Sequence, residues 1–305
     1  MIGYTPVTAD RGRNGVIPGP FVYHRPSTLA DAVGLLARFG DDARAIAGGH
    51  SLIPMMKLRM ATPAHLVDLA AIADLRGIAD HGAEIAIGAT VTQAELIGSE
   101  VLAARLPILR ETALQIGDPQ IRSKGTLGGN VANGDPGNDM PALMQCLDAA
   151  FVLRGPAGER RVAARAFYLG AYLTALQPGE ILAGIRIPVP PAGHGHAYEK
   201  LKRKIGDYAT AAAAVVLTMS GGKVATAAIA LTNVAPTPLF AAAASELVVG
   251  STLDAETLRR AAVAAKSIAD PATDGRGTAE YRREMAGVMV TRALAKAATR
   301  AAKGG

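Results

Sequence analysis

Two short stretches set paired glycines directly before polar side chains. One is Ala47-Gly48-Gly49-His50-Ser51, followed by Leu52; the other is Thr126-Leu127-Gly128-Gly129-Asn130. A residue without Cβ reaches positive φ at little cost and lets another group approach the backbone. Successive amides in such a turn point into one concavity, a nest that takes an anion such as a diphosphate. His50, Ser51, Thr126 and Asn130 add side-chain hydrogen-bonding groups. A Gly-Gly pair also serves as an ordinary turn, so each stretch alone leaves both readings open. Together they make one shared anionic ligand as good a reading as two structural turns.

The elements that hold these stretches are partly legible. Leu29, Val33, Leu36 and Phe39 share one helical face, with Thr28 and Asp31 as a capping box and Gly40 as the stop. Short strands are expected at 43–47, 65–69 and 84–90. Thr92 and Glu95 give a second capping box, and Pro107 opens a helix that Gly117 ends. Residues 117–139 hold six glycines and two prolines with no period, and read as one long functional loop. A helix starts at Asn138 or Asp139 with Pro141 in its first turn. A hairpin turns at 155–159, and a strand runs from Glu180 into a Pro/Gly linker at 188–195, taken as a domain boundary. Three strands and three helices follow, the helices near 238–248, 254–268 and 278–302. The fold class expected is α+β. Residues 1–16 lack any period and read as a disordered extension, or as a start codon placed too early.

The totals narrow the function. The chain has 305 residues, half of them apolar and 19% charged, enough for a real core and against general disorder. The net charge is +6, but the basic residues are scattered and no nucleic-acid reader motif occurs. Aromatic residues are only 4%, with no tryptophan, which argues against stacking carbohydrate or single-stranded nucleic acid. Cys146 is the single cysteine, so this chain alone builds neither a disulfide nor a cysteine-bound iron–sulfur or zinc site, and a reducing compartment fits. No run of about 18 apolar residues suggests a membrane span, and no leader pattern opens the chain. G-x-G-x-x-G after a strand, the P-loop, G-x-S-x-G and H-E-x-x-H are all missing. No catalytic acid–base constellation and no metal site are expected. His194 and His196 read as solvated linker residues, Met55 and Met56 as core filler.

Beyond spacing, AGGHSLIPMMKLRMATPAHLVDL, GDPQIRSKGTLGGNVANGDPGNDMPALM, EILAGIRIP and YEKLKRKIGDYATAAAAVVL resemble the FAD-binding medium subunit of molybdenum hydroxylases, most of all the carbon monoxide dehydrogenase type. The resemblance covers about residues 17–300. It implies a two-part, vanillyl-alcohol-oxidase-like (PCMH-type) FAD domain over 17–192 and a small domain of a three-stranded antiparallel sheet with helices over 196–302. It implies FAD bound by residues 47–52 around the diphosphate and by 126–130. It further implies Asp139 at the ribityl or flavin end, Leu182 packed near the cofactor and Lys200 near the ring. Lys202, Arg203 and Lys204 are further candidates for a cation near the flavin, and Tyr198 and Tyr208 for covering the ring or filling the core.

The activity implied is electron transfer. A molybdopterin-binding large subunit oxidises the substrate, and a [2Fe–2S] small subunit relays electrons to FAD, which delivers them to quinone or NAD. The implied assembly is a dimer of heterotrimers in the cytoplasm, able to lie against the inner face of the membrane. Two other readings stay open: a free-standing FAD-dependent oxidase or dehydrogenase, and a non-enzymatic module that binds an anion or partner.

Overall fold

The computed structural model describes residues 17–303; the reading of residues 1–16 lies outside them. The first half carries two main sheets and a two-stranded one, Tyr168–Gly170 with Leu173–Thr174. Strands Val22–His24, Ala43–Ile46 and His65–Asp68 form a parallel sheet with His65–Asp68 in the centre. A five-stranded antiparallel sheet follows, in the order Ile78–Asp80, Glu84–Gly88, Ile181–Pro188, Ala150–Gly155, Gly158–Ala163. The chain leaves this sheet after Gly88, builds six short helices, and returns at Ala150. Those helices carry the second glycine motif and Asp139, so one excursion delivers both.

Local chemistry explains where these helices start. Thr28 accepts from the Asp31 amide at 3.1 Å and opens Leu29–Phe39. Thr92 and Glu95 form a full capping box. The segment expected as one loop from 117 to 139 instead contains two six-residue helices, Pro119–Lys124 and Leu127–Ala132. Each has its own cap: Asp118 accepts from the Ile121 amide, and Thr126 from the Gly129 amide. Neither is long enough to show a period.

The second half is an antiparallel sheet with three helices. Strands Gly195–Leu201, Ala211–Ser220 and Lys223–Thr232 are those expected, but a fourth, Leu239–Phe240, extends the sheet and delays the next helix to Ala242. The helices are Ala242–Val248, Ala255–Ser267 and Ala279–Ala301. Strand 211–220 is buried on both faces. Ala212 and Ala214 join the core of the first half, against the fully buried helix Asp139–Cys146, while Ala211, Ala213 and Val215 face helix 279–301. Alanine keeps both approaches close. Gly195 works alike, since a Cβ there would lie 1.9 Å from the Ala297 carbonyl oxygen. Among the described residues, no helix is long and apolar enough to cross a membrane.

Charge also ties the halves. Glu111, on helix Pro107–Ala113, accepts from Lys296 and Arg300 of the last helix at 2.8 and 2.5 Å. His196 is no solvated linker residue: it lies in strand 195–201, 3.8 Å from Glu111. Burial, reinforced by Arg300, pushes its pKa down to about 4. Folded, the ring stays neutral until about pH 4; unfolded, it protonates near pH 6.5, so stability is present above that and lost on acidification. Lowering the pH from 7 to 5 should cost about 2 kcal/mol through this ring. Denaturant titrations at the two pH values should show that loss, and His196→Gln should shed much of it. Equal losses in both proteins would contradict the assignment.

Candidate functional site

The first glycine motif forms a tight turn between strand 43–46 and the short helix Leu52–Lys57. Gly49 has φ +77°, and a Cβ on Gly48 would lie 2.1 Å from the Lys124 carbonyl oxygen and 2.9 Å from the Gly125 Cα. Only a residue without a side chain fits against that backbone. The two motif regions, distant in sequence, are therefore in direct contact at Gly48 and Lys124–Gly125. The His50 ring lies beside Gly125, with Cδ2 3.9 Å from where a Cβ would stand.

The motifs differ in what they offer. Among the described residues, the amides of Gly48, Gly49, His50, Ser51 and Leu52 donate to no backbone or side-chain acceptor. Five consecutive free donors, beside a surface kept open by glycine, are the donor set a diphosphate takes up. In the second motif, the Leu127 amide donates to Val91 O at 2.8 Å and that of Gly128 to Ala89 O at 2.9 Å. The Gly129 amide donates to Thr126 Oγ1 at 3.1 Å and that of Asn130 to Thr126 O at 3.0 Å. The first motif thus leaves its amides without partners among the described residues, whereas the second, expected to pool its amides with them, spends its own within the chain. Gly128 serves packing, since a Cβ there would stand 2.6 Å from that of Ala89.

Asn130 links this motif to the next site residue. Its backbone oxygen accepts from Asn138 Nδ2 at 2.8 Å, and its side-chain oxygen from the Met140 amide at 3.3 Å. Those bonds fix the start of helix 139–146. Asp139, in its first turn, is buried and meets the second half of the chain: Tyr198 donates its hydroxyl to Oδ1 at 2.5 Å, and Lys200 Nζ donates to Oδ2 at 2.7 Å. Burial raises the Asp139 carboxyl pKa, with Lys200 and the Tyr198 hydrogen bond opposing it. Desolvation and Asp139 together push the Tyr198 phenol well above its ordinary range. Lys200 also donates to Gln115 O, and Lys202 to Gln115 Oε1.

The remaining candidates separate. Leu182 is buried in the core of the five-stranded sheet, opposite Leu153. Met56 is buried. Arg203 turns away to Asp207 and Gly275, and Lys204 is exposed. Tyr198 is core, whereas Tyr208 stays 42% exposed and packs over Gly137. Gln115 was missed, because nothing local marks a glutamine that meets lysines 85 and 87 residues away. Gln93 was missed too: it is buried with both side-chain amide atoms unpartnered. Among the described residues, no group of three or more His, Cys, Asp or Glu is placed to hold a metal.

The Asp139–Lys200 pair lies almost wholly out of water, so breaking one side leaves a bare charge. Lys200→Met should destabilise the flavin-free protein by about 3–5 kcal/mol, and adding Asp139→Asn should recover most of it. Denaturant titration of the four proteins of this cycle checks it. Additive losses would show that the two groups do not interact.

Comparison with known proteins shows the family. The family described as the FAD binding domain in molybdopterin dehydrogenase matches residues 19–190, and the CO dehydrogenase flavoprotein C-terminal domain matches 196–297. The carbon monoxide dehydrogenase medium chain of Afipia carboxidovorans is 66% identical over 286 residues, covering 94% of this chain and 99% of that one. Its counterpart from Hydrogenophaga pseudoflava is 50% identical over 287 residues, covering 94% and 100%. The solved structure of reconstituted CO dehydrogenase from Oligotropha carboxidovorans superposes with a TM-score of 0.93 at 65% identity, covering 93% of this chain and 99% of the other. The chain therefore belongs to the FAD-binding subunits of the molybdopterin dehydrogenases, an oxidoreductase family, and resembles the medium chain of carbon monoxide dehydrogenase over most of its length.

Proposed function

We propose that this chain is the electron-transfer subunit of a molybdenum hydroxylase complex of the carbon monoxide dehydrogenase type. Its partners in this reading are a [2Fe–2S] small subunit and a molybdopterin-binding large subunit, assembled as a dimer of heterotrimers. Quinone or NAD is the final acceptor, and the complex works in the cytoplasm or against the inner face of the membrane. The FAD domain takes residues 17–192 and the small C-terminal domain 196–302. The observation that carries the reading is the run of free amides at 48–52 set against Lys124–Gly125. FAD, when bound, supplies a carrier that accepts and releases electrons singly or in pairs.

Each chain residue then has a role. The amides of 48–52 hold the diphosphate, with Ala47 leading into the turn. Thr126, Leu127, Gly128 and Gly129 form the wall behind it rather than a second nest. Asn130 fixes the helix start that presents Asp139. Asp139 and Lys200, pinned to each other, mark the flavin end, and Leu182 supports the floor beneath the second motif. Asp139 is engaged by Tyr198 and Lys200 and so is not free for substrate acid–base chemistry. Substrate oxidation belongs on the partner.

Purification from the native host tests this. Iron and molybdenum should travel with the flavin chain. Stripping FAD from that complex should leave substrate able to bleach the iron–sulfur absorbance while electron delivery to quinone and NAD stops, and adding FAD should restore it. Full acceptor reduction without FAD, or a lone chain that oxidises substrate itself, would reject the proposal in favour of a free-standing oxidase.

A further inference from the structure

Two lysines and one carboxylate meet at the junction of the two halves. Lys200 and Lys202 lie two residues apart at the end of strand 195–201 and both turn toward Gln115. They are not equivalent. Lys200 Nζ sits 2.7 Å from Asp139 Oδ2, with both side chains nearly dry, so its charge is neutralised in place. Lys202 Nζ donates to the neutral Gln115 side-chain oxygen, and among the described residues no carboxylate forms an ion pair with it. The cluster therefore keeps one positive charge, and that charge belongs to Lys202.

We propose that Lys202, positioned by Gln115, is the residue of this chain that sets the reduction potential of the bound flavin. The inference rests on the reading above, in which FAD lies along the cleft from residues 48–52 to Asp139. A fixed cation favours the more negative, reduced state of a flavin and so raises its potential. A neutralised pair contributes far less, which removes Lys200 from the role its position first suggests. Burial and the neighbouring Lys200 ammonium both lower the Lys202 pKa, as expected for a charge lacking compensation, while Asp139 acts in the other direction. Gln115 fits the positioning role because its backbone oxygen takes Lys200 and its side chain takes Lys202. One residue thus spaces both amines.

The test uses the intact complex and two variants that act differently. Lys202→Met removes the charge; Gln115→Glu keeps the shape and gives the charge a partner. Flavin content and the midpoint potential from a dye-coupled reductive titration are the readouts. Both variants should keep the full complement of FAD and bind reduced flavin at least tenfold less favourably relative to oxidised flavin, about 30 mV lower for a two-electron couple. Lys202→Arg should restore the wild-type potential. Unchanged potentials with full flavin in both variants would overturn the proposal, as would loss of flavin from both, which would make Lys202 a binding residue instead. Failure of the underlying reading shows separately, in the wild type, as a flavin that substrate-reduced iron–sulfur centres do not reduce.

Discussion

The contact between Gly48 and the Lys124 carbonyl governs the site. A Cβ there would overlap the carbonyl oxygen at 2.1 Å, so the turn is held against the neighbouring segment by the absence of a side chain. That close approach, with Gly49 at positive φ, presents the amides of residues 48–52 without partners among the described residues. Backbone donors cannot swing away and bring little conformational entropy to lose. They suit a ligand whose charge is constant and whose position must be fixed.

The second constraint lies across the two halves. Helix 139–146 is buried along its whole length because alanines on strands 211–220 and 223–232 leave room for it. Its first residue, Asp139, is thereby fixed against Tyr198 and Lys200 from the next strand of the same sheet. The C-terminal part is thus more than an appendage: it supplies the side chains that hold Asp139. The Glu111 cluster with Lys296 and Arg300 holds the same junction from another side.

Much of this was legible in the sequence where the signal is local. The caps at Thr28 and Thr92, the turn at 155–159, the long central strands and both glycine motifs are where the residues put them. The segment 117–139 was misread because two helices of six residues have no room for a period, although Asp118-Pro119 and Thr126 were there as starts. The short strand 239–240 was hidden because two residues carry no alternation. That the second glycine pair engages its amides within the chain was hidden for another reason: glycine is needed both where a ligand approaches and where a strand end packs on a helix. Only Ala89 beside Gly128 tells the cases apart. Lys200 and Lys202 look alike in the sequence; the carboxylate that distinguishes them lies about sixty residues upstream.

The central claim is that the first loop, and not the second, donates its amides to the cofactor. Hydrogen exchange of the protein with and without FAD measures this directly. The amides of residues 48–52 should exchange much more slowly once FAD is bound. Those of 127–130, already bonded to Ala89, Val91 and Thr126, should change little. Strong new protection at 127–130 with none at 48–52 would contradict the account.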